Sequence, residues 1–116
     1  LADVNLLQVC KDTSSMCRNH TVHIGGVGSC ETWNSEIDRI HQFHNTFGTL
    51  CEEMEAAASA QIAQMLNIPF VSIRVISNNI LNDAAYDVAV TGNCQEFVLG
   101  VVAAYAAKYE ICAEVE

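Results

Sequence analysis

The sequence is short of basic residues and almost without proline. Five Lys and Arg stand against 14 Asp and Glu, a formal charge of -9 at pH 7. That balance repels phosphate backbones and anionic lipid surfaces, so nucleic-acid polymers and acidic membranes are not expected ligands. With one proline, no low-complexity run and no internal repeat, nothing marks a linker, and the 116 residues are expected to form one compact domain. Long hydrophobic runs are also missing. The most apolar stretch, Phe97 to Ala107, is interrupted by Gly100 and followed by Lys108, which is too short to span a bilayer. Neither Gly-x-Gly-x-x-Gly nor Gly-Lys-Ser/Thr occurs, which removes the usual dinucleotide and triphosphate cradles. No metal or organic cofactor is called for.

An initiating Met and a signal-peptide pattern are likewise lacking, since the chain opens at Leu1. A mature, processed product of a secreted or vacuolar protein is expected. The cysteines agree with this. Cys10, Cys17, Cys30, Cys51, Cys94 and Cys112 are many for this length, and their even number suits an oxidising compartment. Cys10 and Cys17 are close enough to close a small loop, Cys51 and Cys94 suit buried thiols, and Cys112 is the candidate for a bond elsewhere. Asn19-His20-Thr21 is an N-glycosylation acceptor pattern.

Asp3 is placed to cap a helix running to about Met16, and Thr21 to Val27 reads as a strand entering the glycine-rich turn Gly25-Gly26-Val27-Gly28-Ser29. Ser35 begins a helix with Ile37, Ile40 and Phe43 or His44 at helical spacing, ending near Gly48. A short strand, Thr49 to Glu53, leads to an alanine-rich helix, Glu55 to Leu66, that Asn67-Ile68-Pro69 stops. Phe70 to Ile76 is a continuous β-branched run of the kind buried on both faces of a sheet. After a polar loop, Ser77 to Thr91, a long helix is expected from about Cys94 to Ala113, with Phe97, Val101, Ala104, Tyr105 and Ala107 on its buried side. Strands alternating with helices predict an α/β fold with a largely parallel sheet. Ligands of such sheets bind beyond the carboxyl ends of the strands, where Gly28 to Asn34, Glu52 to Glu55 and Ser77 to Asn79 would converge.

The acidic run Glu52-Glu53-Met54-Glu55 has an ordinary explanation, because carboxylates at a helix start are favoured by the macrodipole. His41 and His44 lie three apart on one helix, but no third ligand has metal spacing, so surface or packing roles fit better. Cys30, next to Glu31 and after a glycine turn, has the setting of a nucleophile without assignable His and Asn partners.

Three blocks in order resemble the nucleoside phosphorylase and methylthioadenosine/S-adenosylhomocysteine nucleosidase superfamily. Gly28-Ser29-Cys30-Glu31 is similar to its Ser-Gly-Asp turn, Glu53-Met54-Glu55-Ala56 to its Glu-Met-Glu-Ala segment, and Ile68-Pro69-Phe70 through Arg74-Val75-Ile76-Ser77-Asn78 to its final strand and catalytic loop. The resemblance covers about residues 3 to 110, the C-terminal half of the family domain. It implies a three-layer α/β/α fold with a mostly parallel or mixed central sheet, completed by a second chain that carries the N-terminal half, in a dimer of such two-chain units. It also implies Glu55 on the ribose hydroxyls, Met54 against the sugar, Glu53 nearby, and Ser77 and Asn78 at the base, with catalysis resting on Glu55 and Asn78.

Two departures qualify this. The family's nucleosidases place an Asp where this chain has Asn78, which hydrogen-bonds a purine edge but has no titrating proton. In the turn, the family Gly and Asp become Cys30 and Glu31, and stacking on the base falls to Thr32 or Trp33. The resemblance therefore implies a purine nucleoside or adenine as ligand, with N-glycosidic cleavage if the site is active. The alternative is a non-catalytic storage protein or carbohydrate-binding lectin on the same fold.

Overall fold

The structure, a computed structural model, describes residues 1–15 and 21–109. Its elements in chain order are α1 (Val4–Ser14), β1 (Gly26–Ser29), α2 (Ile37–Phe47), β2 (Thr49–Glu53), α3 (Ala56–Met65), a single 3-10 turn (Ile80–Asn82) and α4 (Val90–Lys108). Asp3 caps α1 as its sequence position predicts. Its carboxylate accepts from the N–H groups of Asn5 and Leu6, both at 2.9 Å, satisfying two donors that a helix start leaves unpaired.

The best-buried apolar cluster lies between α1 and α4. Val9, Cys10 and Val101 form it, and Val71, Ile73, Phe97 and Tyr105 pack against it half-buried. Cys10 is a free, buried thiol. Cys30, Cys51 and Cys94 are also free. Cys17, Cys112 and the acceptor Asn19 lie outside the described residues. On α4 the predicted buried side holds for Val101, Phe97 and Tyr105, whereas Ala104 and Ala107 are exposed.

The strands β1 and β2 pair in parallel, with Val27 opposite Cys51, Gly28 opposite Glu52 and Ser29 opposite Glu53. Their crossover is α2. Gly48 ends that helix at φ 68°, ψ 27°, a left-handed cap that an L side chain enters only at a cost, and its N–H donates to the His44 carbonyl at 2.8 Å. A Cβ at Gly25 would stand 2.2 Å from Leu50 Cδ1, the end of an exposed side chain that would have to turn aside. Alanines let α3 lie on the sheet, with Ala56 and Ala63 buried.

The structure corrects several expectations. The first strand falls on the supposed glycine turn, Gly26 to Ser29, and not on Thr21 to Gly25; small residues let this segment reach β2, and pairing there outweighs β-propensity upstream. Helix α2 is capped at Glu36 rather than Ser35, without a side-chain cap bond. Helix α4 starts at Val90, four residues before Cys94, because the Thr91-Gly92-Asn93 stretch continues the helical turn. Phe70 to Ile76 forms no strand among the described residues: the two-stranded sheet does not reach it, and a β-branched run without a neighbouring ladder has nothing to pair with. The fold is thus α/β with helices around a small parallel sheet, and the wider three-layer sheet is not formed by these residues.

Two substitutions test this account. Val101→Ala, which removes two methyl groups at a site 4% exposed, is expected to lower stability by about 2 kcal/mol. Asp3→Ala, which uncaps α1, should cost about 1 kcal/mol. Urea denaturation monitored by circular dichroism checks both, and a Val101→Ala effect below about 0.5 kcal/mol would show that the α1/α4 cluster is not the core.

Candidate ligand site

A cavity of about 820 Å³ opens at the carboxyl ends of β1 and β2. The segment after β1 supplies Thr32 and Trp33, the end of β2 supplies Glu52 to Glu55, and the stretch after Phe70–Ile73 supplies Arg74 to Leu81. From α2 come Ile40, His41 and His44. Every residue that the sequence pointed to as a ligand contact, namely Thr32, Trp33, Glu53, Met54, Glu55, Ser77 and Asn78, lines this one cavity. Parallel pairing is what brings two of the segments together. The Cys30 N–H donates to the Glu53 carbonyl at 2.9 Å just beyond the ladder, and Asn34 Nδ2 donates to Glu52 Oε2 at 2.9 Å.

The acidic run divides into different tasks. Glu53 points inward, its side chain 10% exposed, and its Oε2 accepts from Glu55 N–H at 2.9 Å and Ala56 N–H at 2.8 Å. The ordinary explanation for acid at a helix start therefore applies to Glu53, which anchors the first turn of α3. Arg74 closes on the same oxygen and stands 3.7 Å from Glu55 Oε2. Met54 and Glu55 are exposed and line the cavity. Trp33 is 66% exposed on the rim.

Burial by itself would raise the Glu53 carboxyl. The Ser29 hydroxyl, the N–H groups of Glu55 and Ala56, and Arg74 outweigh it and hold the group below the ordinary glutamate value. Glu53 Oε1 is buried without a hydrogen-bond partner among the described residues. The Ser29 oxygen itself accepts from Ala57 N–H at 3.1 Å. Cys51 responds in the opposite direction: burial, then Glu53, push its thiol up, with Arg74 opposing, so it stays protonated and unreactive. His44 is spoken for as well, its Nδ1–H donating to the Thr49 carbonyl at 2.8 Å across the α2–β2 turn.

Arg74 is the cavity residue to which the sequence reading gave no role. A signal was available, because it is one of only five basic residues and the one charged residue within Phe70 to Ile76. Three carboxylates against one guanidinium leave this end of the cavity negative. Such a field disfavours anions and favours a neutral polyhydroxyl group or a centre that gains positive charge.

Comparison with known proteins places the chain in a family. The sequence pattern of the phosphorylase superfamily matches residues 1–108. The 5'-methylthioadenosine/S-adenosylhomocysteine nucleosidase of Bacillus licheniformis is 36% identical over 78 residues, which are 66% of this chain and 34% of that protein. The enzyme of the same name from an Exiguobacterium species is 32% identical over 84 residues, 72% of this chain and 36% of its own. That from a Geobacillus species is 30% identical over 78 residues, 66% and 34% respectively. No solved structure matches significantly. The chain belongs to the phosphorylase superfamily. It spans about a third of the length of the curated relatives it matches.

The charge arrangement predicts a pH response. A carboxyl depressed on folding adds stability that is fully present above its ordinary value of 4.5 and is lost as the pH falls through its lower folded value. Stability should therefore decline below about pH 4.5, and Glu53→Gln should flatten that part of the profile. In a carbon-13 titration Arg74→Met should move the Glu53 carboxyl upward; a wild-type Glu53 that titrates at or above 4.5 would contradict the assignment.

Proposed function

We propose that this chain forms the sugar- and base-facing part of a nucleosidase-type site for a purine nucleoside or adenine. The observation that carries the reading is the convergence of Glu53-Met54-Glu55 and Ser77-Asn78 on one cavity with a negative end. Glu55 accepts from the ribose hydroxyls and faces the anomeric carbon as positive charge develops. Met54 packs against the sugar, Trp33 or Thr32 covers the ring, and Asn78 with Ser77 contacts the base edge. Arg74 holds Glu53 and Glu55 in register. If the bond is cleaved, it is the N-glycosidic bond, through an oxocarbenium-like ribosyl centre attacked by water or phosphate from the remainder of the domain.

That remainder, in this reading, is carried by a second chain, and two such units associate. Support comes from the sheet itself. A parallel sheet of two strands with open edges is not a stable unit, and Trp33, Ile37, Phe47, Leu50, Met65, Leu66 and Leu99 all stand exposed. The cysteine content and the Asn19 acceptor pattern support a secreted or vacuolar glycoprotein. One observation favours the second reading, a non-catalytic storage or carbohydrate-binding protein: Asn78 stands where the family resemblance calls for a titrating acid.

A non-denaturing mass spectrum of the natural, unreduced material tests the assembly. A second chain together with a mass increment of a purine is expected, and a lone chain without ligand would sink the two-chain proposal. Activity is tested by Asn78→Asp, which should raise adenine release from methylthioadenosine by about 10² to 10⁴-fold if the remaining apparatus is intact. Glu55→Gln should weaken nucleoside binding by about 10- to 100-fold, read by calorimetry. No gain in the first variant with full loss in the second identifies a binding protein. No loss in the second refutes the ribose role.

A further inference from the structure

We infer that Trp33 and the Asn34–Glu52 pair form an outer subsite, on the cavity rim, for a neutral hexopyranose unit. This rests on the carbohydrate-binding reading above and gives it a place; it uses none of Glu55, Ser77 and Asn78, and leaves the covering of a purine ring to Thr32. Trp33 lines the cavity at 66% exposure, whereas Asn34 and Glu52 are half-buried in the wall next to it. The Asn34 amide is held at both ends: its Oδ1 accepts from the Glu36 N–H at 3.2 Å, and its Nδ2 donates to Glu52 Oε2 at 2.9 Å. Glu52 owes its place to Gly28 on the paired strand, where a Cβ would stand 3.3 Å from Glu52 Cγ. The alternation of β2 turns Glu52 away from the face that carries Glu53, so neither α3 nor Arg74 takes up its carboxylate.

A pyranose makes two demands on a binding surface. One face of C–H groups leaves water favourably when it lies on an aromatic ring, and the hydroxyls around it need partners. The rim meets both. After its bond to Glu52, the Asn34 NH₂ keeps one hydrogen and Glu52 keeps Oε1, and neither has a partner among the described residues. A donor and an acceptor fixed side by side next to an indole match two neighbouring hydroxyls, one accepting and one donating, on a ring that stacks. Because the pair already orders itself, a ligand does not have to organise it. Charge then sets the class of sugar. Glu52, Glu53 and Glu55 against Arg74 leave the cavity negative, which repels uronic acids and sugar phosphates and admits neutral hexoses.

The test is calorimetric titration of the natural assembly with methyl β-galactopyranoside, methyl α-mannopyranoside and methyl β-glucopyranoside, and with glucuronate to read the charge. At least one neutral glycoside is expected to bind with a Kd of about 1 mM or tighter, and glucuronate at least about tenfold more weakly. Trp33→Ala, at an exposed position, should weaken the glycoside at least about tenfold, whereas Trp33→Phe keeps an aromatic face and should retain most of the binding. Glu52→Gln should weaken it by about three- to tenfold and narrow the gap to glucuronate. Trp33 is the one tryptophan of this chain, so with the chain nitrogen-15 labelled its indole N–H signal should shift on binding. Glycoside binding that Trp33→Ala does not move overturns this inference and leaves the carbohydrate-binding reading standing. Failure of all three glycosides to bind at about 10 mM overturns both. Displacement of the glycoside by adenosine, together with its loss in Glu55→Gln, assigns the sugar to the ribose position and overturns the separate subsite while leaving the nucleoside reading intact.

Discussion

One carboxylate oxygen, Glu53 Oε2, joins the parts of this molecule that carry chemistry. It terminates β2, accepts the first free N–H groups of α3 and meets the guanidinium of Arg74, which belongs to a segment about 20 residues further along the chain. Each partner alone is an ordinary surface interaction of modest value. Together they desolvate and neutralise one another, which is why the carboxyl stays ionised although its side chain is mostly buried. Among the described residues this junction is the polar tie between the segment Arg74–Asn78 and β2, and it brings that segment beside Glu55. Catalytic and binding geometry is unforgiving at this scale.

The sequence made this arrangement legible to unequal degrees. Elements defined by local chemistry were readable: the Asp3 cap, the Gly48 stop, β2 at Thr49–Glu53 and the alanine helix. Elements defined by partners were not. The glycine-rich stretch Gly26–Ser29 reads as a turn because glycine is permissive, and becomes a strand only because β2 lies beside it. Phe70 to Ile76 fails in the other direction, with strand composition and no ladder to join. The candidate site was more legible than the fold, since its three blocks each sit at an element boundary that the order of the elements brings to one edge. What no pattern could give was the division within Glu52-Glu53-Met54-Glu55. Which carboxylate turns inward depends on the period-two alternation of β2 and on the position of Arg74, and neither is visible in a run of four residues.

The same dependence on neighbours explains the exposed apolar surface. The chain spans about a third of the length of the curated relatives it matches, and in the proposed reading its exposed apolar residues face the remainder of the domain. Its α1/α4 cluster is self-contained, with Val9 and Val101 almost fully buried, whereas α2 buries no residue at all. Stability and function are thus partly separated in space: the cluster holds the helices together, while the cavity lies against the side where burial is poorest. A site there gains rigidity only as that side is covered, because desolvation strengthens the ion pairs that position it.

The two ends of the cavity carry opposite demands. The Glu55 end is negative and suits a sugar centre that gains positive charge as the glycosidic bond stretches. Departure of a purine also requires that the negative charge building on the ring be relieved, and proton transfer from a titrating acid does this most effectively. Asn78 offers a hydrogen bond in place of a proton. Under the proposed reading, the chain therefore keeps the half of the chemistry that stabilises the sugar cation and weakens the half that releases the base. A hydrogen bond to the ring edge still stabilises that charge, but by less than protonation does. Under that reading, recognition of the base outlasts rapid cleavage when acid becomes amide.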